Sequence, residues 1–501
     1  MSGPTYEEAK SRGHRRFSFR EPAPIPALTR LAAYPWLVVF TTCLAAFAGQ
    51  IDASIVQLGL PTLEREFDAR LDEVSWVAVA YSLSFAAVLP VYARLAEIAG
   101  RKLMFVSGFA LFAVFSALCG FAPSLPWLIV FRALQGMSGA LLGANSVVIL
   151  VTAAGAERRG RSMGIFAGAQ AIGISVGPAL GGVLLESLSW HWMFLVSVPF
   201  AALGAALGWL LVPVTTHTSE ETSFDWPGAL LLIPALTGLM LAITKLNAWG
   251  LLSAGVLTCT ALSIVLFVSF FRRERRLRAP LLNLSLFESR AFSGGSVAIF
   301  LSYALLYGMF FAMSFALVRG YHDSPLIAGF RLTIVPVALG VMAPFAGGWA
   351  EKRPQLVMRA GMALCVVATI ALTQFLTGAP QSQIAMMSAL AVFGVGLGLF
   401  IAPNNTATLA AAPAERSGPA GGLLNLMRSL GTATGVAAAS ALLAWRLESS
   451  TGLHGRTLAA NEHALLAAVG DIMLMLAAFA LMAGVAASLG SPRRHATAIS
   501  R

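Results

Sequence analysis

Residues 35–58 read PWLVVFTTCLAAFAGQIDASIVQL, an apolar run that contains a single charge, Asp52. A helix needs about 20 apolar residues to cross the hydrocarbon core of a membrane. A charge at the middle of a bilayer costs roughly 3 kcal/mol or more, so the few that occur usually serve a function. The stretch therefore predicts a transmembrane helix that carries one functional acid.

The composition of the whole chain extends this prediction. Of 501 residues, 57% are hydrophobic and 11% are charged, whereas soluble domains carry about 25% charge. This excludes a soluble globular or a disordered protein. The sequence pI near 10.1 does not indicate nucleic-acid binding, because the basic residues cluster in short loops between apolar runs.

Fourteen apolar runs have the length of a membrane span. The predicted spans are 35–58, 74–93, 103–121, 127–150, 163–185, 193–213, 227–246, 250–271, 293–317, 325–349, 357–377, 383–403, 418–444 and 464–489. With these spans, the connecting segments on the same side of the membrane as the two termini hold, together with the termini, 25 of the 34 Lys and Arg residues. The segments on the opposite side hold six. By the positive-inside rule, both termini are expected in the cytoplasm.

An internal repeat organises these spans. The segments Pro90–Glu97 and Pro344–Glu351 share the pattern P-x-x-[AG]-x-x-A-E, and each is followed by two basic residues within a few positions. If the seventh and eighth helices are an insertion, each segment follows the second helix of a six-helix half. We therefore expect an all-α membrane protein with two six-helix bundles and two inserted helices, a plan with parallel halves that secondary transporters use. The predicted units are residues 1–33 (cytoplasmic segment), 34–213 (first bundle), 214–278 (insertion), 279–490 (second bundle) and 491–501 (cytoplasmic tail).

Several motifs in order along the chain resemble the major facilitator superfamily, in particular its fourteen-helix drug:proton antiporter branch. They include Asp52-Ala-Ser-Ile-Val in the first helix, Arg132-Ala-Leu-Gln135-Gly in the fourth and Asn425-Leu-Met-Arg428 in the thirteenth. The connection between helices 2 and 3 resembles the family's conformational loop at Ala93, Glu97, Gly100, Arg101 and Lys102. The fifth helix matches the motif associated with antiporters at Gly173, Gly177, Pro178, Gly181 and Gly182.

The connection between helices 2 and 3 also departs from the family pattern. Ala93 stands in place of the usual Gly, Glu97 in place of Asp, and Ile98 in place of Arg. The resemblance implies that this loop latches one conformation through its charges. Proton coupling or gating in this protein is therefore expected to differ from that of family members with the usual loop.

Asp52 and Arg132 are the residues that we expect to couple transport to protons. Counted from the predicted outer helix ends, they lie about 12 Å and about 8 Å deep at 1.5 Å per residue, so both fall in the outer half. Desolvation favours a protonated carboxyl group, and a nearby cation favours the ionised form. A rocking motion that changes these two influences would load and release a proton. A static charge pair that only orients two helices is the alternative.

Three other charges fall inside predicted spans, and their roles stay open between two interpretations. Asp471 and Arg331 are predicted nearer the outer side of the membrane. Each would be either part of a second coupling site or a charge that snorkels to the membrane surface. Arg428 lies near the middle of the thirteenth span, where it would line the cavity or support a contact within the second half.

The predicted substrate cavity is lined by polar residues within spans: Gln57, Tyr81, Gln135, Asn145, Gln170, Asn404, Asn405 and Asn425. The predicted function is proton-coupled export of amphipathic drugs by alternating access, with cationic drugs as the first guess because Asp52 could bind drug and proton competitively. Export of an endogenous metabolite or siderophore is the nearest alternative, and a membrane scaffold or sensor without transport is an alternative of another class.

Other chemistries find no support in the sequence. No histidine lies deep in an apolar run, and no Walker A or H-E-x-x-H motif occurs, so no enzyme activity, metal site or cofactor is expected. Gly173-Ile-Ser175-Val-Gly177 fits a hydrolase elbow, but it lies in a predicted helix instead of a strand–turn–helix. The expected partners are a small-molecule substrate, protons and the lipid bilayer of a bacterial inner membrane. A periplasmic adaptor and an outer-membrane channel are optional partners, nucleic acid is not expected, and the expected state is a monomer.

Overall fold

The computed structural model of the protein describes residues 21, 23–214, 225–250, 252–277, 280–413, 416–451, 457 and 461–489. Within these residues there is no strand, and fourteen helices are long and apolar enough to cross a membrane. The first six are Tyr34–Glu66 (α1), Leu71–Ala99 (α2), Arg101–Gly120 (α3), Leu125–Ala154 (α4), Arg159–Ser187 (α5) and Trp192–Leu211 (α6). Two follow, Trp226–Thr244 (α7) and Ala254–Glu274 (α8). The last six are Arg290–Gly320 (α9), Pro325–Lys352 (α10), Pro354–Phe375 (α11), Gln383–Ala410 (α12), Ser417–Thr451 (α13) and Glu462–Leu489 (α14).

Polar residues next to the apolar runs set where several helices begin. The hydroxyl oxygen of Ser253 accepts a hydrogen bond from the backbone N–H of Val256 at the start of α8, and Asp225 accepts one from Gly228 at the start of α7. Such caps satisfy backbone donors that have no partner inside the helix. Proline stands in the first turn of α1, α4, α7, α10 and α11, where its missing N–H costs nothing.

The packing pairs are the same in the two halves. In the first six helices, α1 contacts α4, α5 and α6, α2 contacts α4, and α3 contacts α4 and α6. The last six repeat each of these pairs, with α9 in the place of α1 and so on to α14 in the place of α6. The halves meet at α1–α9 and along two seams, α2–α13 and α5–α10. These reciprocal contacts are consistent with two parallel repeats related by a pseudo-twofold axis.

Helices α7 and α8 lie outside the two bundles. α7 packs against α8 and against the α2–α13 seam, while α8 has only four buried residues. The exposed side chains of α8 include Leu257, Leu262, Ile264 and Val265, as expected of a helix that faces lipid. The predicted fold class, fourteen helices as two six-helix bundles plus two inserted helices, is confirmed.

The helices extend further than hydropathy indicates, because polar residues continue the helical backbone beyond the apolar run. α1 ends at Glu66 and α13 at Thr451, instead of 58 and 444. This corrects the depth of Asp52, which lies about 21 Å from the end of α1 at 1.5 Å per residue. The predicted domain boundaries stay predictions. Residues 1–20, 215–224, 278–279 and 490–501, which include the predicted tail and most of the predicted N-terminal segment, lie outside the described residues.

Candidate functional site

The centre of the first bundle holds a buried charge pair. One oxygen of Asp52 on α1 accepts a hydrogen bond of 2.7 Å from Nη1 of Arg132 on α4. Asp52 is 0% exposed and Arg132 is 1% exposed. A buried pair is kept in place only when further hydrogen bonds satisfy its remaining donors and acceptors.

Gln135 supplies those further bonds. Its Nε2 donates to the other oxygen of Asp52 at 2.9 Å and to the hydroxyl of Ser116 on α3 at 2.7 Å. Its Oε1 accepts from Nη1 of Arg132 at 2.6 Å, while Nε of Arg132 donates to the backbone oxygen of Val77 at 2.9 Å. Four helices, α1 to α4, therefore hold one network, and a movement of any of them changes the surroundings of Asp52.

Aromatic rings cover the guanidinium of Arg132. Its Cζ lies 4.4 Å from the ring centroid of Tyr81 and 5.6 Å from that of Phe194. Such contacts stabilise a cation that has left water. The pair is thus sealed from solvent in this conformation.

A central cavity of about 100 Å³ lies between the two halves. Of the predicted cavity residues, Tyr81, Gln170 and Asn425 line it. Its wall also holds Arg428, which we left open between this place and a contact within the second half, and three residues that we missed, namely Gln50, Tyr303 and Tyr307. The missed residues had a signal, since Gln50 is a polar residue in an apolar run and Tyr303 and Tyr307 share one face of a helix.

A larger cleft of about 480 Å³ continues from this cavity, with Gly143 and Asn425 lining both. It opens at the end of the bundle that bears the connection between α2 and α3. The lining from the first half includes Arg94, Glu97 and Arg101. The lining from the second half lies within residues 280–283 and 418–425.

Five predicted cavity residues line neither of these two spaces. Gln135 belongs to the charge network, and Gln57 is buried. Nδ2 of Asn145 donates to the backbone oxygen of Leu141, and Nδ2 of Asn404 donates to that of Gly295 on α9. The fifth is Asn405, also on α12. The amides of Asn145 and Asn404 thus satisfy backbone oxygens, which is an alternative role for a polar side chain in a span.

The predicted conformational loop is held by ion pairs within α2 and at its end. Glu97 lies 2.7 Å from Arg94 and 3.4 Å from Arg101. Arg94, one turn earlier, thus supplies a cation where Ile98 lacks one. Gly100 has a φ of +105°, which favours glycine, and a Cβ there would lie 2.2 Å from the carboxylate of Glu21. Lys102 is buried next to this turn.

The glycines of the predicted antiporter motif make close contacts on two sides of α5. Added Cβ atoms at Gly173, Gly177 and Gly181 would meet residues of α1. At Gly182 a Cβ would lie 2.6 Å from the backbone oxygen of Pro325 on α10. Pro178 contributes its backbone oxygen, which lies 2.4 Å from a Cβ added at Gly329. The motif therefore joins the halves at the end opposite the cleft.

The other in-span charges lie in three different places. Asp471 pairs with Arg446 at 2.6 Å, and both side chains are partly exposed. Arg331 pairs with Asp323 at 2.7 Å and donates to Gln383 at 3.0 Å. Only Arg428 of these three lines the central cavity.

The comparisons with known proteins agree with this architecture. A family model described as Major Facilitator Superfamily matches residues 42–436. The chain is 28% identical to riboflavin transporter RibZ of Clostridioides difficile, over 82% of this chain and 89% of that one. It is 32% identical to drug efflux pump JefA of Mycobacterium tuberculosis, over 80% and 79%.

A solved structure shares the fold. A bacterial homologue of the human lysosomal transporter Spinster, in an inward-facing and unoccupied conformation, superposes with a TM-score of 0.63 at 16% identity, over 92% of this chain and 97% of that one. The predicted family and the prediction that the chain is not an enzyme are confirmed. The protein is a multi-pass membrane transporter of the Major Facilitator Superfamily.

Proposed function

We propose that the protein is a proton-coupled exporter of amphipathic small molecules that works by alternating access. The observation that carries the proposal is the sealed pair of Asp52 and Arg132 beside the central cavity. An ionisable group inside a membrane span is a functional site by default. Asp52 would carry the proton, and Arg132 would control when the carboxylate takes it up and releases it.

The two ends of the bundle support alternating access. One end is open through the cleft of about 480 Å³. At the other end α5 and α10 touch at Gly182 and Gly329, and Arg319 on α9 donates to the backbone oxygen of Pro61 on α1 at 2.9 Å. Rocking of one half against the other would exchange these two arrangements.

The names of the relatives bear on the cargo. JefA is named a drug efflux pump, and RibZ is named a riboflavin transporter. The second name favours an endogenous aromatic metabolite as a second candidate cargo for this chain.

We further infer an inner-membrane location with both termini in the cytoplasm, because the basic residues concentrate in the connections on the cleft side. The transporter would act as a monomer, since each half provides one wall of the cavity. The adaptor and outer-membrane channel stay predictions.

Reconstitution tests the proposal. Purified full-length protein in proteoliposomes with an imposed proton gradient should transport ethidium, tetracycline or riboflavin. Addition of the transported compound should also cause a movement of protons across the membrane, which a pH-sensitive dye records. Asp52→Asn should abolish proton-coupled export, while Asp471→Asn, a control at the lipid-facing side of α14, should retain it. If Asp471→Asn abolished proton-coupled export and Asp52→Asn did not, Asp471 would be the proton carrier instead of Asp52. Wild-type protein that moves no cargo would support the scaffold interpretation instead.

A further inference from the structure

The central cavity carries a cation that its surroundings do not neutralise. Arg428 is the charged residue among the described residues that line it. The charge of Arg132 is matched by Asp52, but none of the ion pairs among the described residues includes Arg428. The cavity region therefore has a net positive charge.

The guanidinium of Arg428 has N–H donors without a partner among the described residues. Its Nη1 donates to Asn425 at 3.2 Å and, at the limit of hydrogen-bond distance, to Gln170 at 3.5 Å. Its Nε is buried and donates to no described residue. A guanidinium has five donors in a planar fork, so donors other than the buried Nε remain for an acceptor that enters the cavity.

This arrangement differs from that of an arginine whose donors are satisfied within the protein. Arg132 is such an arginine, since it donates to a carboxylate, an amide and a backbone oxygen. An unpaired charge in a span is costly. Because the Coulomb energy of a pair grows as the dielectric constant falls, an anion that reaches Arg428 gains more than it would in water.

Aromatic rings form much of the remaining wall. The rings of Tyr303 and Tyr307 on α9 are nearly parallel, with centroids 6.5 Å apart and an interplanar angle of 19°. The Cζ of Arg428 lies 4.9 Å from the centroid of Tyr303. Tyr81 and Phe85 face them from α2. Flat faces of this kind suit a planar ring system.

The acid of the first bundle is closed to ligands. Asp52 is 0% exposed and both of its oxygens accept hydrogen bonds. In this conformation it offers no free acceptor to a cationic drug.

We propose that the preferred cargo is a planar aromatic molecule with an acidic group, which occupies the central cavity and the adjoining part of the cleft, and that Arg428 binds the anion while the tyrosines of α2 and α9 contact the rings. The proposal rests on the proposed function as an exporter, but it concerns recognition and not coupling. A carboxylate, a phosphate ester and an acidic phenol share this chemistry.

A binding experiment without any proton gradient tests it. The full-length protein in lipid nanodiscs is titrated with anthraquinone-2-carboxylate, with its methyl ester and with a quaternary-ammonium analogue, and quenching of protein fluorescence gives the Kd. The carboxylate should bind at least tenfold more tightly than the ester, and the ammonium compound should bind most weakly. Flavin mononucleotide against riboflavin repeats the comparison with a phosphate.

Variants locate the effect. Arg428→Gln should remove the preference for the acid and leave ester binding within about threefold, while Arg428→Lys should keep part of it, because the charge persists without the planar fork. Arg359→Gln removes an exposed cation from α11 and should change nothing. Equal affinity for the three wild-type ligands, or tightest binding of the ammonium compound, would overturn the proposal even if proton-coupled export stands. Selective binding of the acid without proton coupling would instead retain this proposal and reject the antiporter.

Discussion

The carboxylate of Glu64 accepts a hydrogen bond of 2.8 Å from the backbone N–H of Thr457 and a second bond from the threonine hydroxyl. Glu64 is 0% exposed, and Arg319 on α9 lies 4.0 Å from it. The first residue belongs to α1 and the second to the connection between α13 and α14. The contact therefore joins the two halves at the end opposite the cleft.

Removal of this contact should open that end. Charge-assisted hydrogen bonds contribute about 1.5–3 kcal/mol, so Glu64→Ala should shift the equilibrium toward the opposite-facing state by about tenfold or more. Spin labels on cysteines placed at Arg65 and Ser449, exposed positions of α1 and α13, should show a larger fraction of long distances. Glu66→Ala, an exposed acid on the same helix, is the control, and an unchanged distance distribution in Glu64→Ala would contradict the prediction.

The backbones of α5 and α10 are in close contact at the end opposite the cleft, and this contact predicts the effect of a larger side chain there. A Cβ at Gly329 would lie 2.4 Å from the backbone oxygen of Pro178, a distance that forces the helices apart. Gly329→Ala should therefore lower the transport rate at least tenfold while the protein still folds. Gly340→Ala is the matched control on α10, because a Cβ there meets nothing within 4 Å. Equal transport by the two variants, measured at equal expression, would contradict this reading of the contact.

The central charge pair predicts a rescue. Arg132→Ala leaves Asp52 buried without its cation, and removal of one partner from a buried pair costs about 3–5 kcal/mol. The double variant Asp52→Asn with Arg132→Ala has no buried charge at this point and should recover part of that stability. Thermal unfolding in detergent measures both. A double variant less stable than Arg132→Ala alone would show that the pair is not energetically coupled in this way. Neither variant should couple export to protons.

The connection before α10 predicts a pH-dependent stability. Burial raises the pKa of Asp323 above its usual value, and the Arg331 guanidinium opposes that rise. Because the raised pKa favours the protonated form in the folded state, the stability linked to Asp323 is present in acid and is lost as the pH rises through the folded pKa. Arg331→Gln should therefore lower the free energy of unfolding more at pH 7.5 than at pH 4.5, by about 1–3 kcal/mol at the higher pH, as measured by unfolding at both pH values. A deficit that does not change with pH would assign the effect to the lost hydrogen bond with Gln383 instead.

Hydropathy and charge were enough to predict the fourteen helices, because burial in lipid constrains every residue of a span. They could not show that α1 continues to Glu66, since polar residues carry no hydropathy signal once the chain has left the apolar run. The motifs directed attention to Asp52 and Arg132, whose side chains are in contact, and their role in coupling stays a prediction. Gln135 was assigned to the cavity because a polar residue in a span indicates a polar neighbour but not which one. The lack of a partner for Arg428 was likewise invisible, since it depends on where the carboxylates of other helices lie.

Helices α7 and α8 give the molecule two unlike flanks. They lie against the α2–α13 seam and, among the described residues, do not pack along the α5–α10 seam. Lys245, just after α7, holds Asp72 of α2 at 2.7 Å, which anchors the pair to the first half. A hydrophobic cargo dissolved in the bilayer thus meets a shielded edge on one flank and an unshielded one on the other. The inserted helices therefore cover the flank on which α2 and α13 line the cleft, and the flank of α5 and α10 is left without such a cover.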